Sequence, residues 1–136
     1  SVFFRTCTVD KSFPLYRDFS KQMPTLEFLS EFIHKCGGKI FLAHLYKYKL
    51  NNHIEYLDNI IEKKLIDGIE VYHSSFTKEQ IQTLEQYCKN NKLLMSGGSD
   101  CHGERKKKRK LGIGYGNLNI NKKILANWHI KSIFQF

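Results

Sequence analysis

The sequence predicts an α/β fold built from successive parallel βα units, and three observations carry that reading. Three short apolar runs, "KIFLAH" at 39–44, "IEVYH" at 69–73 and "KLLMS" at 92–96, have strand length and sharp boundaries. Helix-length segments with apolar residues in 3.6-residue spacing separate them. No tight hairpin turn joins one run directly to the next, so the strands pair in parallel through helical crossovers.

Each element has its own justification. Leu26, Leu29, Phe32, Ile33 and Cys36 mark a helix that opens after Pro24-Thr25 and stops at Gly37-Gly38. The first strand follows at once and ends in the polar, aromatic stretch "LYKYK". Ile54, Leu57, Ile61 and Leu65 give an amphipathic helix from about Asn51 to Lys64, closed by Asp67-Gly68 before the second strand. Thr77 and Gln80 form a capping-box pair, and Ile81, Leu84, Tyr87 and Cys88 supply the apolar face of the next helix, which leads into the third strand. The stretch 103–110 reads as a long mobile loop. The first 23 residues have no clear period. The segment after Gly116 is mixed, and its Ile, Leu, Trp and Phe residues are expected to pack against the sheet edge.

With 136 residues, 41% hydrophobic and 26% charged, the chain fits one globular domain over 1–136 with a sizeable core, which excludes disorder as its default state. The net charge of +9 is spread along the chain except for one run, "ERKKKRK" at 104–110. A generally basic surface that suits polyanionic partners follows. Cys7, Cys36, Cys88 and Cys101 show no C-x-x-C pairing, and no apolar run approaches a membrane span, so a reduced, soluble, cytoplasmic protein without a membrane partner is expected. The start at Ser-Val-Phe-Phe, without Met or a signal pattern, reads as a cut.

Sites in parallel α/β folds form at the carboxyl ends of strands, where loops diverge. His44, His73, Asp100 and His102 all fall at or just beyond such ends. Asp100 and His102 are two apart, so in extended backbone both side chains point to one side and reach one centre. The preceding glycines in "SGGSDCHG" permit close backbone approach. Carboxylate with imidazole suits zinc, manganese or iron better than calcium. His44, Asp100 and His102 are therefore the candidate metal ligands and catalytic residues.

The segments "HKCGGKIFLAHLYKYK", "LIDGIEVYHSSF", "LLMSGGSDCHG" and "KLGIG", spread over residues 24–120, resemble the later motifs of the PHP (polymerase and histidinol phosphatase) family. That resemblance implies part of a distorted seven-stranded (β/α) barrel that binds divalent metals (Mn, Zn, Fe or Mg) and hydrolyses phosphate esters. His44 matches the histidine of the family's "AHP" motif, and Asp100 and His102 match its "GSDxHG" ligand pair. His73 and Lys47 become contacts to substrate phosphate, whereas Glu70 is a common family residue not expected to ligate. Leu45 stands where the family usually has proline.

The family's first motif is an H-x-H, and the six histidines here contain none. The chain is therefore expected to be the carboxyl-terminal part of such a domain, inactive by itself, acting on a phosphorylated small molecule or nucleotide when complete. Its open edge is expected to pair in a homodimer or to be covered by the aromatic ends "SVFFR" and "WHIKSIFQF". "ERKKKRK" is expected to lie at the mouth of the site. Two other readings compete: a structural or regulatory remnant, and a single-stranded nucleic-acid-binding module using the alternating Tyr46, Lys47, Tyr48 and Lys49.

Overall fold

A computed structural model describes residues 2–128. Its elements run α1 (Val2–Val9), α2 (Leu26–Lys35), β1 (Phe41–Leu42), α3 (His53–Glu62), β2 (Gly68–His73), α4 (Lys78–Asn90) and β3 (Leu94–Gly98). The three strands form one parallel sheet in the order β1-β2-β3. The expected βα succession is thus present, and each crossover is a helix.

The helices begin where the sequence provides caps. Thr25 accepts from Phe28 N, and Asn52 accepts from Ile54 N and Glu55 N. Thr77 and Gln80 close the reciprocal capping box on α4. The core lies on one face of the sheet, where Leu42, Ile69 and Val71 pack with Leu57, Ile60, Leu84 and Cys88 from α3 and α4.

Two glycines shape the sheet. A side chain at Gly68 would collide with the Phe41 ring, which lies over it. A Cβ at Gly97 would sit 2.7 Å from Tyr72 Cβ and from Ile120 Cδ1. Between Glu70 and Tyr72 the β2–β3 register slips, leaving Val71 as an extra residue. Such a bulge turns the strand just before its carboxyl end, where His73 lies.

Strand boundaries differ from the sequence reading. Only Phe41–Leu42 of 39–44 joins the ladder, because His44 adopts left-handed backbone and ends it, and β3 runs two residues further, through Gly98. The 103–110 stretch carries a 3-10 turn at Gly103–Lys106 and then a tight reversal, with Lys110 and Gly114 exchanging backbone hydrogen bonds of 2.8 and 3.0 Å.

The edge of β3 is covered in part. Leu94 N donates to Asp67 O, so the next residue, Met95, turns its carbonyl outward. Trp128 Nε1 donates to that carbonyl at 3.0 Å, and its ring stacks on Phe41 with centroids 4.7 Å apart. This is the edge-covering role expected of the aromatic tail. The rest of that tail, 129–136, lies outside the described residues.

Candidate active site

At the carboxyl end of the sheet lie His44 just after β1, His73 at the end of β2 and Asp100 just after β3. Two of these positions hold uncommon backbone: His44 has φ 36° and Asp100 has φ 51°. Outside glycine such conformations cost about 1–3 kcal/mol and persist only where the surroundings impose them. His44 N donates to Glu70 Oε2 at 2.6 Å, which fixes the turn. Ser74 Oγ donates to Ser99 O and Asn117 Nδ2 to Ser74 O, tying the loop after β2 to the chain that follows β3.

Asp100 is the hub. One carboxylate oxygen lies 2.9 Å from His102 Nε2, and the other contacts the Arg109 guanidinium and lies 3.8 Å from both Lys47 Nζ and His73 Nε2. Arg109 is only 7% exposed. Its Nε donates to the Tyr115 hydroxyl at 2.7 Å, and its guanidinium carbon sits 5.0 Å from that ring's centre.

His73 is almost fully buried, and its tautomer is set by geometry. Ser75 N donates to His73 Nδ1 at 3.2 Å, and a backbone N–H can only donate. In the neutral ring the proton therefore resides on Nε2. Burial, reinforced by Lys47, pushes the His73 pKa down to about 4, so the ring is neutral at neutral pH. Nε2 is buried without a hydrogen-bond partner among the described residues, as is Nδ1 of His44, whose ring lies 6.1 Å from that of His73. Orphaned buried donors and acceptors are rare in folded proteins.

Glu70 joins this cluster, although the sequence reading gave it no place there. Burial raises its pKa, opposed by the His44 N–H and reinforced by Asp100. A carboxylate in the middle of an otherwise apolar strand was the available signal. Arg109 was missed because it closes a lysine-rich run that reads as solvated surface. The glycine-containing reversal after it, "LGIGYG", brings Tyr115 back onto it and buries it.

The expected ligands are brought together only in part. Asp100 and His102 meet, and His44 meets His73 and Glu70. Among the described residues no three His, Cys, Asp or Glu side chains are grouped to hold a metal ion. In kind the donors do suit a divalent cation: a carboxylate, an imidazole beside it, and His44 Nδ1 buried with no partner. In the Tyr46–Lys49 stretch Tyr46 packs against Phe76 and His53, and Tyr48, which touches His44 and Tyr56, stays partly exposed. None of the four cysteines is in a disulfide, and among the described residues no helix is long and apolar enough to cross a membrane.

No family model matches the chain, and no curated protein does. Among solved structures, a crystal structure of a Bifidobacterium adolescentis protein provisionally named a metal-dependent phosphoesterase is similar, with TM-score 0.61 and 25% sequence identity. The likeness covers 92% of this chain and 44% of that one, so the chain spans less than half of that protein's length.

Proposed function

We propose that this chain is part of a PHP-type metal-dependent phosphoesterase acting on nucleotides or other phosphomonoesters, with the remaining metal ligands and barrel strands supplied by further sequence of the same protein. The observation that carries the reading is the buried, unpartnered Nε2 of His73 lying 3.8 Å from Asp100, with the His44 ring, whose Nδ1 is also buried and unpartnered, 6.1 Å from that of His73 at the carboxyl ends of the parallel strands. That is where α/β phosphoesterases do chemistry, and the likeness to a longer protein of that name agrees with it.

His44, Asp100 and His102 would hold the metal. When bound, a divalent ion supplies an activated hydroxide and neutralises charge on phosphoryl oxygens. The chain's own residues have complementary tasks. His73, with its proton held on Nε2, is a donor and not a ligand, which fits it to a phosphoryl oxygen. Lys47 and Arg109 place positive charge on the same side of Asp100. Glu70 braces the His44 turn through its backbone N–H.

One observation favours the remnant reading: Arg109 and Lys47 already neutralise Asp100, as internal cations can where a metal has been lost. Two measurements separate the readings. In the metal-dependent case the purified 136-residue chain broadens the Mn²⁺ electron paramagnetic resonance signal, and Asp100→Ala abolishes the effect. The chain alone leaves a phosphomonoester uncleaved. In the longer protein Asp100→Ala lowers kcat/KM by on the order of 10²-fold or more, about 3 kcal/mol. Absence of Mn²⁺ binding with Asp100 intact supports the remnant, and turnover of about 1 per second or more by the chain alone overturns the need for further ligands.

A further inference from the structure

At the amino end of the sheet, opposite the Asp100 cluster, an open cavity of about 780 Å³ is lined by the end of α4, the segment leading into β3, and Trp128. We propose that it binds a small amphipathic anion, a carboxylate carrying an aryl or alkyl body, and that the bound ligand holds the terminal segment against the β3 edge. The site is independent of the chemistry at Asp100.

Three features carry the proposal. The first is the floor. Ile66 and Cys88 belong to the buried core, and Leu93 and Met95 pack against that core while staying partly exposed, so the core surfaces at this cavity. Burial pushes the Cys88 thiol up to about 12, which makes it a neutral part of the floor. The Trp128 indole adds an aromatic wall. Phe41 takes one of its faces, and the residue remains partly exposed, which leaves ring surface for an apolar body. The second feature is charge. Three lysines and one carboxylate line the cavity, and the carboxylate, Asp67, is already taken by Lys39 at 2.9 Å. Lys89 and Lys92 remain, and neither has an ion-pair partner among the described residues. They are not needed to cap α4 either, because the carbonyls of Tyr87, Cys88 and Lys89 accept from the backbone N–H groups of Asn91, Leu93 and Lys92. Two unpaired cations beside an apolar recess favour an amphipathic anion over a neutral molecule or a small inorganic ion, and the volume lies in the range of small-molecule sites. The third feature is continuity. Met95 and Trp128 line the cavity together and are joined by the indole hydrogen bond that covers the β3 edge. A ligand touching both binds the covered state better than the uncovered one and shifts the population toward it.

The probe is 4-phenylbutanoate, its binding to the 136-residue chain measured by equilibrium dialysis against 4-phenylbutanamide, which has the same shape and no charge. Saturable binding of the acid is expected, with the amide at least about 3-fold weaker. Lys89→Gln combined with Lys92→Gln should weaken the acid by about 3- to 30-fold and leave the amide within about twofold. Both side chains are exposed, so the variant keeps the fold. Lys107→Gln combined with Lys108→Gln removes the same charge at the other end of the sheet and should leave the acid within about twofold. Edge closure is read by chymotrypsin cleavage after Trp128, followed by mass spectrometry. If cleavage requires the uncovered state, the acid at ten times its Kd should slow it by about tenfold. Absence of saturable binding, equal affinity for acid and amide, unchanged affinity in the Lys89 and Lys92 variant, or unchanged cleavage under saturating acid overturns the proposal.

Discussion

Two aspartates at opposite ends of the same sheet show how one residue type serves two ends. Asp67 lies at the amino end of β2. Its carboxylate accepts from Ile40 N, Lys39 Nζ and His34 Nε2 at 2.8–2.9 Å. Every partner is a donor, and one is the backbone of the neighbouring strand, so Asp67 fastens β1 to β2. Burial alone would raise its pKa, but these three donors outweigh that and hold it below the ordinary carboxylate value. Asp100, beyond the carboxyl end of β3, has left-handed backbone, two cations at one carboxylate oxygen and an unpartnered imidazole nitrogen nearby. The first carboxylate ties one strand to the next, whereas the second sits on costly backbone beyond the ladder among side chains of the loops. In barrel-type folds the bottom of the sheet carries stability and the top carries chemistry, and the two aspartates of this chain lie at those two ends of its three strands.

The largest test of the contrast is on stability. Asp67→Ala leaves Ile40 N without its acceptor and removes two charged partners, and about 2–4 kcal/mol of unfolding free energy should be lost in urea titrations. Asp100→Asn keeps an acceptor for Arg109 and a residue tolerant of positive φ, and should change stability by no more than about 1 kcal/mol. A reversed order would mean that the hub is structural. Next comes Trp128→Ala, which strips the β3 edge and the Phe41 stack. It should cost about 2 kcal/mol and promote self-association visible in sedimentation velocity, since an uncovered edge pairs with its copy.

The two ends should also separate by pH. Asp67 has a folded pKa below the unfolded value of about 3.9, so its stabilisation is present above that value and lost as pH falls through the lower folded one. His73 drops from its ordinary 6.5 to about 4, so burying it neutral favours the fold above pH 6.5 and that benefit is lost as pH falls toward 4. In urea titrations between pH 7 and 3, His73→Gln should flatten the decline from 6.5 to 4, and Asp67→Asn the decline below 4. The smallest effect concerns Lys92, which follows α4 with φ 55° where glycine is favoured. Lys92→Gly should raise stability by about 1 kcal/mol. Unlike the strain at Asp100, this strain relaxes at no cost to the Asp100 site.

Much of the architecture was legible because it rests on local rules: the Thr77–Gln80 capping box, the Gly37-Gly38 stop and the apolar strand runs all act within a few residues. The strand-end location of His44, His73 and Asp100 followed from that succession. What escaped was set by distant contacts. Glu70 meets His44 across 26 residues, and Arg109 is buried only because the chain reverses at 110–114. The short 3-10 turn before Trp128 has no amphipathic period, so only its apolar content hinted that it covers an edge. Tyr46 offered a stacking pattern in sequence, yet packing against Phe76 consumes it, and the exposed ring beside positive charge is Tyr115.

The contact between Trp128 and Met95 has a spectroscopic consequence. The chain contains one tryptophan, and its indole is hydrogen-bonded to the sheet edge and stacked on Phe41, so all tryptophan emission originates at that edge. When the terminal segment lifts away, the indole enters water and the emission shifts to the red while the far-ultraviolet dichroism of the helices holds. The chain thus carries a built-in optical gauge of edge closure, readable without labels and separate from the melting of its core.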